Sequence, residues 1–319
     1  MLLSLVIPCY NEEGNVEKFF CEVKKTFDSR SEEIEYVFVD DGSSDFTFNK
    51  LQALYDSHAE EKIQVLSFSR NFGKEAAMYA GLSHAKGDLV CIIDADLQQR
   101  PEVVAQMLDI LEKNPEYDCV AAYQETRSEN KLIASLKSLF YNGINKITDV
   151  EFKNGASDFR LMRKNMVKAI LSMKEYHRFS KGIFAFVGFK TEFIPYTAAD
   201  RESGQSKWNF SKLLRYALEG IISFSSAPLK FALWSGCLTL VAALVCIILA
   251  VAFGANLFTP AFCAVLSLVL GGTILMSLGI VGAYLSRAYD ELRHRPVYIL
   301  KTHLRREENG KNQITDNQV

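Results

Sequence analysis

The sequence has few of the patterns that mark disulfide-bonded, zinc-binding or nucleic-acid-binding proteins. Its seven cysteines are scattered and form no Cys-x-x-Cys pair, which argues against a disulfide framework and indicates a reducing compartment. Its five histidines have no metal-ligand spacing. A formal net charge of -2 over 319 residues leaves no overall basic footprint, so we expect no nucleic-acid partner.

The sequence also shows no pattern typical of a leader, a repeat or a linker. Met1–Pro8 has the pattern of a strand rather than of a basic region followed by an apolar one, so we expect no signal peptide. We find no internal repeat and no low-complexity linker. Up to about residue 225 the sequence therefore has the pattern of a soluble domain.

Long uncharged runs are confined to the last third of the sequence. Phe231–Phe253 and Pro260–Ser286 contain no charged residue. A helix rises about 1.5 Å per residue, so about 20 apolar residues cross a hydrocarbon core of about 30 Å. We therefore predict two transmembrane helices. The alternative is a pair of buried core helices, which are seldom this long or this free of charge.

The charges beside these runs predict how the chain crosses a membrane. The loop between the runs is uncharged, whereas the segment after the second run is basic. Its basic residues are Arg287, Arg293, Arg295, Lys301, Arg305 and Arg306. By the positive-inside rule this end is cytoplasmic, and two crossings place the N-terminal domain there too. We expect a multi-pass protein of the cell (inner or plasma) membrane with both termini in the cytoplasm.

Two further features of this region predict contact with lipid and with other copies of the chain. Lys207–Phe224 has an apolar face at helical spacing and basic residues mostly off that face. This pattern indicates an interfacial helix on the lipid bilayer, or a surface helix packed on the preceding domain. The second run contains glycines that permit close helix contact, so we expect a homo-oligomer. They are Gly271, Gly272, Gly279 and Gly282.

Strand and helix patterns alternate over the first 125 residues or so. The predicted strands are Leu3–Ile7, Tyr36–Val39, Ile63–Phe68, Leu89–Ile93 and Cys119–Tyr123. The predicted helices are Asn15–Phe27, Phe46–Asp56, Lys74–Ala85 and Glu102–Lys113. This alternation predicts an α/β domain with a parallel sheet, and Ile183–Ile194 reads as a further β-rich segment. In such sheets ligands bind at the carboxyl ends of the strands.

Carboxylates crowd these predicted strand ends. Asp40 and Asp41 follow the second strand, and Asp94 and Asp96 follow the fourth. Residues i and i+2 of an extended segment project to the same side, so Asp94 and Asp96 can face one Mg²⁺ or Mn²⁺ that also binds a diphosphate. The alternative for this pair is a solvated turn. One of Asp40 and Asp41 is expected to bind a base or ribose and the other to cap a helix, while Tyr10 belongs to the base pocket or to the core.

The motifs at these strand ends resemble those of the family 2 inverting glycosyltransferases, which have the GT-A fold. They are Val6-Ile7-Pro8-x-Tyr10-Asn11-Glu12, Val39-Asp40-Asp41-Gly42-Ser43-x-Asp45, Ser69-Arg70-Asn71-Phe72-Gly73-Lys74-Glu75 and Asp94-Ala95-Asp96-Leu97-Gln98. Later motifs are similar to those of the polyprenyl-phosphate glycosyltransferases, such as bactoprenol glucosyltransferases and dolichol-phosphate mannose synthases. These are Ser157-Asp158-Phe159-Arg160-Leu161, Arg201-x-x-Gly204-x-Ser206-Lys207-Trp208, Tyr284-Leu285-x-Arg287 and Arg295-Pro296-x-Tyr298.

The resemblance implies a role for each matching residue. The nucleotide pocket would contain Pro8, Tyr10, Glu12, Asp40, Asp41, Lys74 and Asp94. The metal and the diphosphate would be bound by Asp94, Asp96 and Gln98. The acceptor phosphate would be bound by Arg127, Arg201 and Lys207. The catalytic residues would be Asp158, Asp96 and Arg201. Relatives often have two arginines three residues apart near residue 125, where this chain has Gln124 and Arg127, so the acceptor contact rests more on Arg127 and Arg201.

The resemblance also implies a domain order and a reaction. We expect a cytoplasmic GT-A (Rossmann-like) domain over residues 1–206, a juxtamembrane amphipathic helix over 207–228, two transmembrane helices over 229–286 and a basic cytoplasmic tail over 287–319. The reaction would transfer a sugar, with glucose ahead of N-acetylglucosamine or mannose, from a nucleotide diphosphate sugar to undecaprenyl phosphate. UDP is favoured as the nucleotide. Because a phosphate monoester with a second pKa of about 6 is largely dianionic at pH 7, the acceptor is already nucleophilic. Asp158 would orient the sugar or act as a base.

Three other functions compete with this interpretation. A processive polysaccharide synthase is disfavoured because the sequence has no Gln-x-x-Arg-Trp motif. A transporter is disfavoured because two uncharged spans provide little pathway. A membrane-anchored nucleotide-sugar sensor or scaffold without catalytic activity stays open, although such a protein has no need of the combined set of Asp94, Asp96, Asp158 and Arg201.

Overall fold

A nine-stranded sheet combines strands from before and after the apolar runs. The structure, a computed structural model, describes residues 1–124, 156–197, 220–253, 259–306 and 312–314. The strands are β1 Leu2–Cys9, β2 Glu33–Asp40, β3 Lys62–Phe68, β4 Leu89–Ile92, β5 Cys119–Gln124, β6 Ala156–Arg163, β7 Thr191–Tyr196, β8 Leu300–Arg306 and β9 Asn312–Ile314. Their order across the sheet is β7-β5-β6-β4-β1-β2-β3-β8-β9.

The central strands are parallel, and antiparallel strands extend the sheet on both sides. β1 pairs in parallel with β2 and β4, and β2 pairs in parallel with β3. β6 is antiparallel to β4 and β5, and β8 is antiparallel to β3. The helices of this part are α1 Val16–Phe27, α2 Thr47–Ser57, α3 Lys74–His84, α4 Pro101–Lys113, α5 Lys164–Ser172 and α6 Ser180–Phe186.

Helices cover both faces of the sheet because alternate strand residues point to opposite faces and both sets are apolar. On one face, Phe19 of α1 meets Phe38 of β2 in an edge-to-face contact with ring centroids 6.5 Å apart. On the other face, α3 lies so close to β1 that a Cβ at Gly81 would come within 2.2 Å of Val6. The predicted α/β class and the five predicted strands of the first 124 residues are confirmed.

Three segments differ from their sequence-based predictions. Residues 183–186 of the predicted strand Ile183–Ile194 belong to α6, and β7 begins only at Thr191. The sequence predicts a loop at Asn154–Asp158, but its residues 156–158 belong to β6. Residues 300–306 of the predicted basic tail form the strand β8. Leu304 of this strand is buried, whereas its basic side chains remain exposed or half-buried.

The apolar runs form a separate unit with two long helices. The chain divides into one unit with residues 1–142, 150–209 and 296–319, and a second with residues 143–149 and 210–295. The second unit contains α7 Ala227–Phe253 and α8 Pro260–Leu292. Both helices are long and apolar enough to cross a membrane, and almost none of their residues is buried within the chain, unlike those of core helices.

Other predictions for this region are tested only in part. Within the predicted interfacial helix, residues 220–224 are helical, and residues 207–219 lie outside the described residues. The sequence pattern also predicts a helix over about Lys131–Thr148, and this segment lies outside the described residues too. A Cβ added at Gly271, Gly272, Gly279 or Gly282 would meet nothing within 4 Å in the single chain, so association between copies stays a prediction.

Candidate functional site

A polar cleft lies at the carboxyl edge of the parallel strands. The register places Cys9, Asp40 and Ser67 side by side at the ends of β1, β2 and β3. The cleft has a volume of about 310 Å³. It is lined by Pro8, Cys9, Tyr10, Glu12, Asp41, Asn71, Gly73, Lys74, Ala77, Asp94, Ala95 and Asp96. This position agrees with the general location of ligand sites in α/β sheets.

The neighbouring residues Asp40 and Asp41 have different surroundings. Asp40 lies behind the cleft, where its carboxylate accepts hydrogen bonds from Ser43 N (3.0 Å) and Ser67 Oγ (2.8 Å). Asp41 lines the cleft and accepts bonds from Phe72 N (2.7 Å) and Gly73 N (3.0 Å), just before α3. Burial raises the pKa of Asp41, and the two backbone donors oppose that rise. Asp41 therefore fixes the loop that leads into α3.

Gly42 permits the close approach of this loop to the end of β2. Its φ is +63°, and a Cβ there would lie 2.4 Å from the carbonyl carbon of Arg70 and 2.6 Å from the nitrogen of Asn71. A side chain at this position is disfavoured both by the backbone conformation and by overlap with backbone atoms that belong to a neighbouring loop.

We expect Gly42→Ala to destabilise the protein by about 2 kcal/mol and to weaken nucleotide binding. The added methyl group must push the Arg70–Gly73 loop away from Asp41. Thermal unfolding and UDP titration of the detergent-solubilised protein measure the two effects. Gly14→Ala is the matched control, since a Cβ at Gly14 would meet nothing within 4 Å. Equal behaviour of the two variants would contradict the expectation.

Asp94 and Asp96 lie in a turn at the floor of the cleft. The acids follow β4, which ends at Ile92, but the extended segment expected for the pair is replaced by a turn, and Leu97 directly after Asp96 has a φ of +59°. This conformation is uncommon for a non-glycine residue. Within the turn, Gln98 N donates to Asp96 Oδ1 over 3.1 Å. The turn brings both carboxylates to the same cleft.

Lys74, at the start of α3, links two of the predicted acids. Its ammonium lies 2.7 Å from Asp94 Oδ1 and 3.6 Å from Asp158 Oδ2. Burial alone would lower the pKa of Lys74, but the charges of Asp94 and Asp158 outweigh it and raise this pKa. Lys74 is therefore a permanent cation between two carboxylates. Gln99, which is buried, also donates to Asp94 Oδ2 over 3.0 Å.

The carboxylates of Asp94 and Asp96 suit a hard divalent cation whose other ligands come from a phosphate and from water. Asp94 and Asp96 supply carboxylate oxygens, which Mg²⁺ and Mn²⁺ prefer. No group of three or more His, Cys, Asp or Glu side chains that could hold an ion occurs among the described residues. Mg²⁺ is commonly bound by one or two carboxylates together with substrate phosphates and water, rather than by a complete protein cage.

Glu75, next to Lys74, was not predicted as a site residue. Its Oε2 accepts hydrogen bonds from the backbone N (2.9 Å) and the hydroxyl of Ser180, the first residue of α6. Burial and then the charge of Asp158 raise the pKa of Glu75 to about 7. Glu75 therefore joins α3 to α6 and titrates near neutral pH.

The raised pKa of Glu75 predicts a pH-dependent stability. The carboxyl group of Glu75 binds a proton more tightly in the folded protein than in the unfolded chain. Its contribution to the free energy of unfolding is therefore complete below pH 4.5 and is lost as the pH rises to about 7. We expect the unfolding midpoint of Glu75→Gln, relative to that of the unchanged protein, to increase over this range. Thermal melts from pH 5 to pH 8 measure it, with Glu112→Gln on the exposed face of α4 as the control. A constant difference between Glu75→Gln and the unchanged protein would contradict the assignment.

The structure brings most of the predicted donor-side residues together. Pro8, Tyr10, Glu12, Asp41, Lys74, Asp94 and Asp96 line the cleft. Tyr10 is 47% exposed, so its alternative assignment to the core is wrong. Asp158 contacts these residues through its ion pair with Lys74. Asp40 lies behind the cleft, and Gln98 is not among the residues that line it. Arg127, Arg201 and Lys207 lie outside the described residues.

Some residues of the site were not predicted. Cys9, Ala77 and Ala95 line the cleft as small side chains; Cys9 and Ala95 lie within quoted motifs, whereas nothing in the sequence indicates Ala77. Asn71 and Gly73 also line it. They belong to the quoted Ser69–Glu75 motif, so the motif was the available signal.

Comparison with known proteins gives consistent matches over this region and beyond. The sequence profile of "Glycosyl transferase family 2" matches residues 4–171. The chain is 38% identical over 306 residues to the bactoprenol glucosyl transferase of Shigella phage SfV, covering 94% of this chain and 98% of that protein. It is 37% identical over 306 residues to the prophage bactoprenol glucosyl transferase homolog of Escherichia coli (strain K12), covering 94% and 99%.

Among solved structures, one similar chain is the mannosyltransferase PcManGT from Pyrobaculum calidifontis in complex with GDP-Man and Mn²⁺. It has 16% sequence identity and a TM-score of 0.46, with 86% of each chain covered. The sequence matches are far stronger, because the family profile spans just over half of the chain and the two relatives cover nearly all of it. The chain therefore belongs to glycosyl transferase family 2 and is a glycosyltransferase with the GT-A fold.

Proposed function

We propose that this glycosyltransferase transfers a sugar from a nucleotide diphosphate sugar to a polyprenyl phosphate, undecaprenyl phosphate in a bacterium, with inversion at the anomeric carbon. The observation that carries the proposal is the cleft in which Asp94, Asp96 and Lys74 meet at the carboxyl edge, with Asp158 beside Lys74. The names of the two relatives support the lipid acceptor and make glucose the first sugar to test.

The donor side of the proposed site is the described cleft. Its polar lining suits a nucleotide diphosphate sugar, with Tyr10 exposed to contact the base and Asp41 fixing the Phe72–Gly73 loop at the cleft wall. Asp94 and Asp96 would hold Mg²⁺ or Mn²⁺ at the diphosphate. Such an ion stabilises the negative charge that develops on the leaving nucleotide. Lys74 forms ion pairs with Asp94 and Asp158 and so helps to fix the positions of both carboxylates.

The acceptor side rests on residues outside the described part of the chain. Arg127, Arg201 and Lys207 are proposed to bind the acceptor phosphate, whose dianionic form attacks without needing a strong general base. Their positive charge would screen the repulsion between two anionic substrates. The apolar helices α7 and α8 support association with a membrane, where such an acceptor resides. The cytoplasmic orientation stays part of the proposal.

The decisive experiment supplies the purified protein with undecaprenyl phosphate, Mn²⁺ and a panel of radiolabelled UDP- and GDP-sugars in detergent. We expect label to pass into organic solvent with one donor, UDP-glucose first, and the product to have inverted configuration. Omission of the lipid controls for donor hydrolysis. Nucleotide-sugar binding without transfer to any lipid would favour the sensor or scaffold, and a product of retained configuration would exclude the single displacement.

A further inference from the structure

The chain that follows α8 returns to the sheet and pairs with β3, the strand that leads into a loop of the donor cleft. β8 pairs with β3 from Gln64 opposite Arg305 to Phe68 opposite Leu300, with an irregularity between Ser67 and Phe68. Just before β8, the carbonyl of Ile299 accepts a hydrogen bond from Ser69 N over 3.0 Å. We call residues 296–306 the late segment. It stays hydrogen-bonded to the chain at the point where β3 ends and the loop of the cleft begins.

Tyr298 packs against this junction from the side of the late segment. Its ring stacks on Phe68 with centroids 5.1 Å apart and planes at 14°. It also meets Tyr79 of α3 at 6.3 Å, and Phe68 meets Phe72 at 5.8 Å. We call Phe68, Phe72, Tyr79 and Tyr298 the aromatic cluster. It joins the end of β3, the loop, the helix α3 and the late segment.

The loop held by the aromatic cluster forms a wall of the cleft. Asn71 and Gly73 line the cleft directly. On the cleft side, the backbone N–H groups of Phe72 and Gly73 donate to Asp41. On the other side, the ring of Phe72 belongs to the aromatic cluster. The loop is thus fixed between a carboxylate and a group of stacked rings, one of which comes from the far end of the sequence.

We propose that Tyr298 is a positioning residue for the donor: by stacking on Phe68 it holds the Ser69–Gly73 loop in the conformation that binds a nucleoside diphosphate. A loop that is already ordered before binding loses less conformational entropy when the ligand arrives, so pre-ordering appears as affinity. The inference rests on the proposed function for the chemical class of the donor. Tyr298 acts through the loop and does not itself line the cleft.

The test compares Tyr298→Ala with Tyr298→Phe in the full-length protein in detergent. We expect Tyr298→Ala to raise the Kd for UDP and the KM for the donor about tenfold, with kcat changed less than about twofold. Tyr298→Phe keeps the stacked ring and is expected to retain both values. Calorimetric titration with UDP and Mn²⁺ reports binding without relying on turnover. If Tyr298→Ala does not fold, Tyr298→Leu replaces it, with the same expected direction.

Leu304→Ala is the matched control for general damage to β8. Leu304 is buried in β8, the strand that follows Tyr298, but it lies opposite Val65 and away from the loop. We expect it to lower the unfolding temperature and leave the UDP affinity of the folded protein unchanged. If the Kd for UDP is unchanged in Tyr298→Ala, or rises equally in Leu304→Ala, the inference about Tyr298 is wrong but the proposed function is unaffected. A failure of the unchanged protein to bind any nucleoside diphosphate overturns the proposed function and this inference together.

Discussion

Replacing Asp96 with Asn is expected to reduce sugar transfer by a factor of about 10² or more, even at saturating Mn²⁺. The substitution keeps the size of the side chain and an oxygen that can accept the bond from Gln98 N. It removes the negative charge that would hold a divalent cation at the diphosphate, so the charge of the leaving nucleotide loses its stabilisation. The measurement is the initial rate of labelled lipid formation over a series of Mn²⁺ concentrations.

The control for Asp96→Asn is Asp56→Asn, on the exposed side of α2 and outside the cleft lining. It makes the same chemical change and is expected to leave the rate unaltered. Undiminished synthesis by Asp96→Asn under saturating metal would remove Asp96 from the metal site.

Replacing Lys74 with Met is expected to reduce transfer by about 10²-fold while strengthening the binding of Mn²⁺ alone. In the described structure the ammonium of Lys74 lies 2.7 Å from Asp94 and competes with any other cation for that carboxylate. Its removal leaves Asp94 and Asp158 without their shared counter-charge, which favours a metal but misplaces Asp158. Steady-state kinetics measures the first effect, and Mn²⁺ titration followed by paramagnetic relaxation measures the second.

Lys50→Met is the matched control for Lys74→Met. Lys50 also forms an ion pair, with Glu17 at 3.1 Å, but lies on α2 outside the cleft lining. We expect it to change neither quantity. Weaker binding of Mn²⁺ to Lys74→Met than to the unchanged protein would show that Lys74 does not compete for the metal position.

The parallel core was predictable from sequence for a physical reason. Strands covered on both faces consist of continuous apolar residues, so β1 to β5 stand out, and polar residues directly after them mark the carboxyl edge. β6 and β8 mix apolar and charged residues, so neither shows a continuous apolar pattern. β8 in particular reads as a basic tail, since only Leu304 of its seven residues is buried.

The partners of the site residues were less predictable than the residues themselves. The motifs identified Asp41, Lys74 and Asp94, but not that Asp41 binds the backbone of the Phe72–Gly73 loop or that Lys74 neutralises Asp94. These contacts join residues that are 20 or more positions apart. They depend on how β2, α3 and β4 are aligned, and strand register is not encoded in any short motif.

The return of β8 to the sheet has a consequence for biosynthesis. Domains generally fold as units as the chain emerges from the ribosome, N-terminal segments first. Here β3 lacks its neighbour β8 until residues 300–306 have been made, after both long apolar helices. During translation the outer edge of β3 therefore stays unpaired while α7 and α8 are synthesised, and a nascent chain stopped at Leu292 would contain the acids of the cleft but not the strand that pairs with β3.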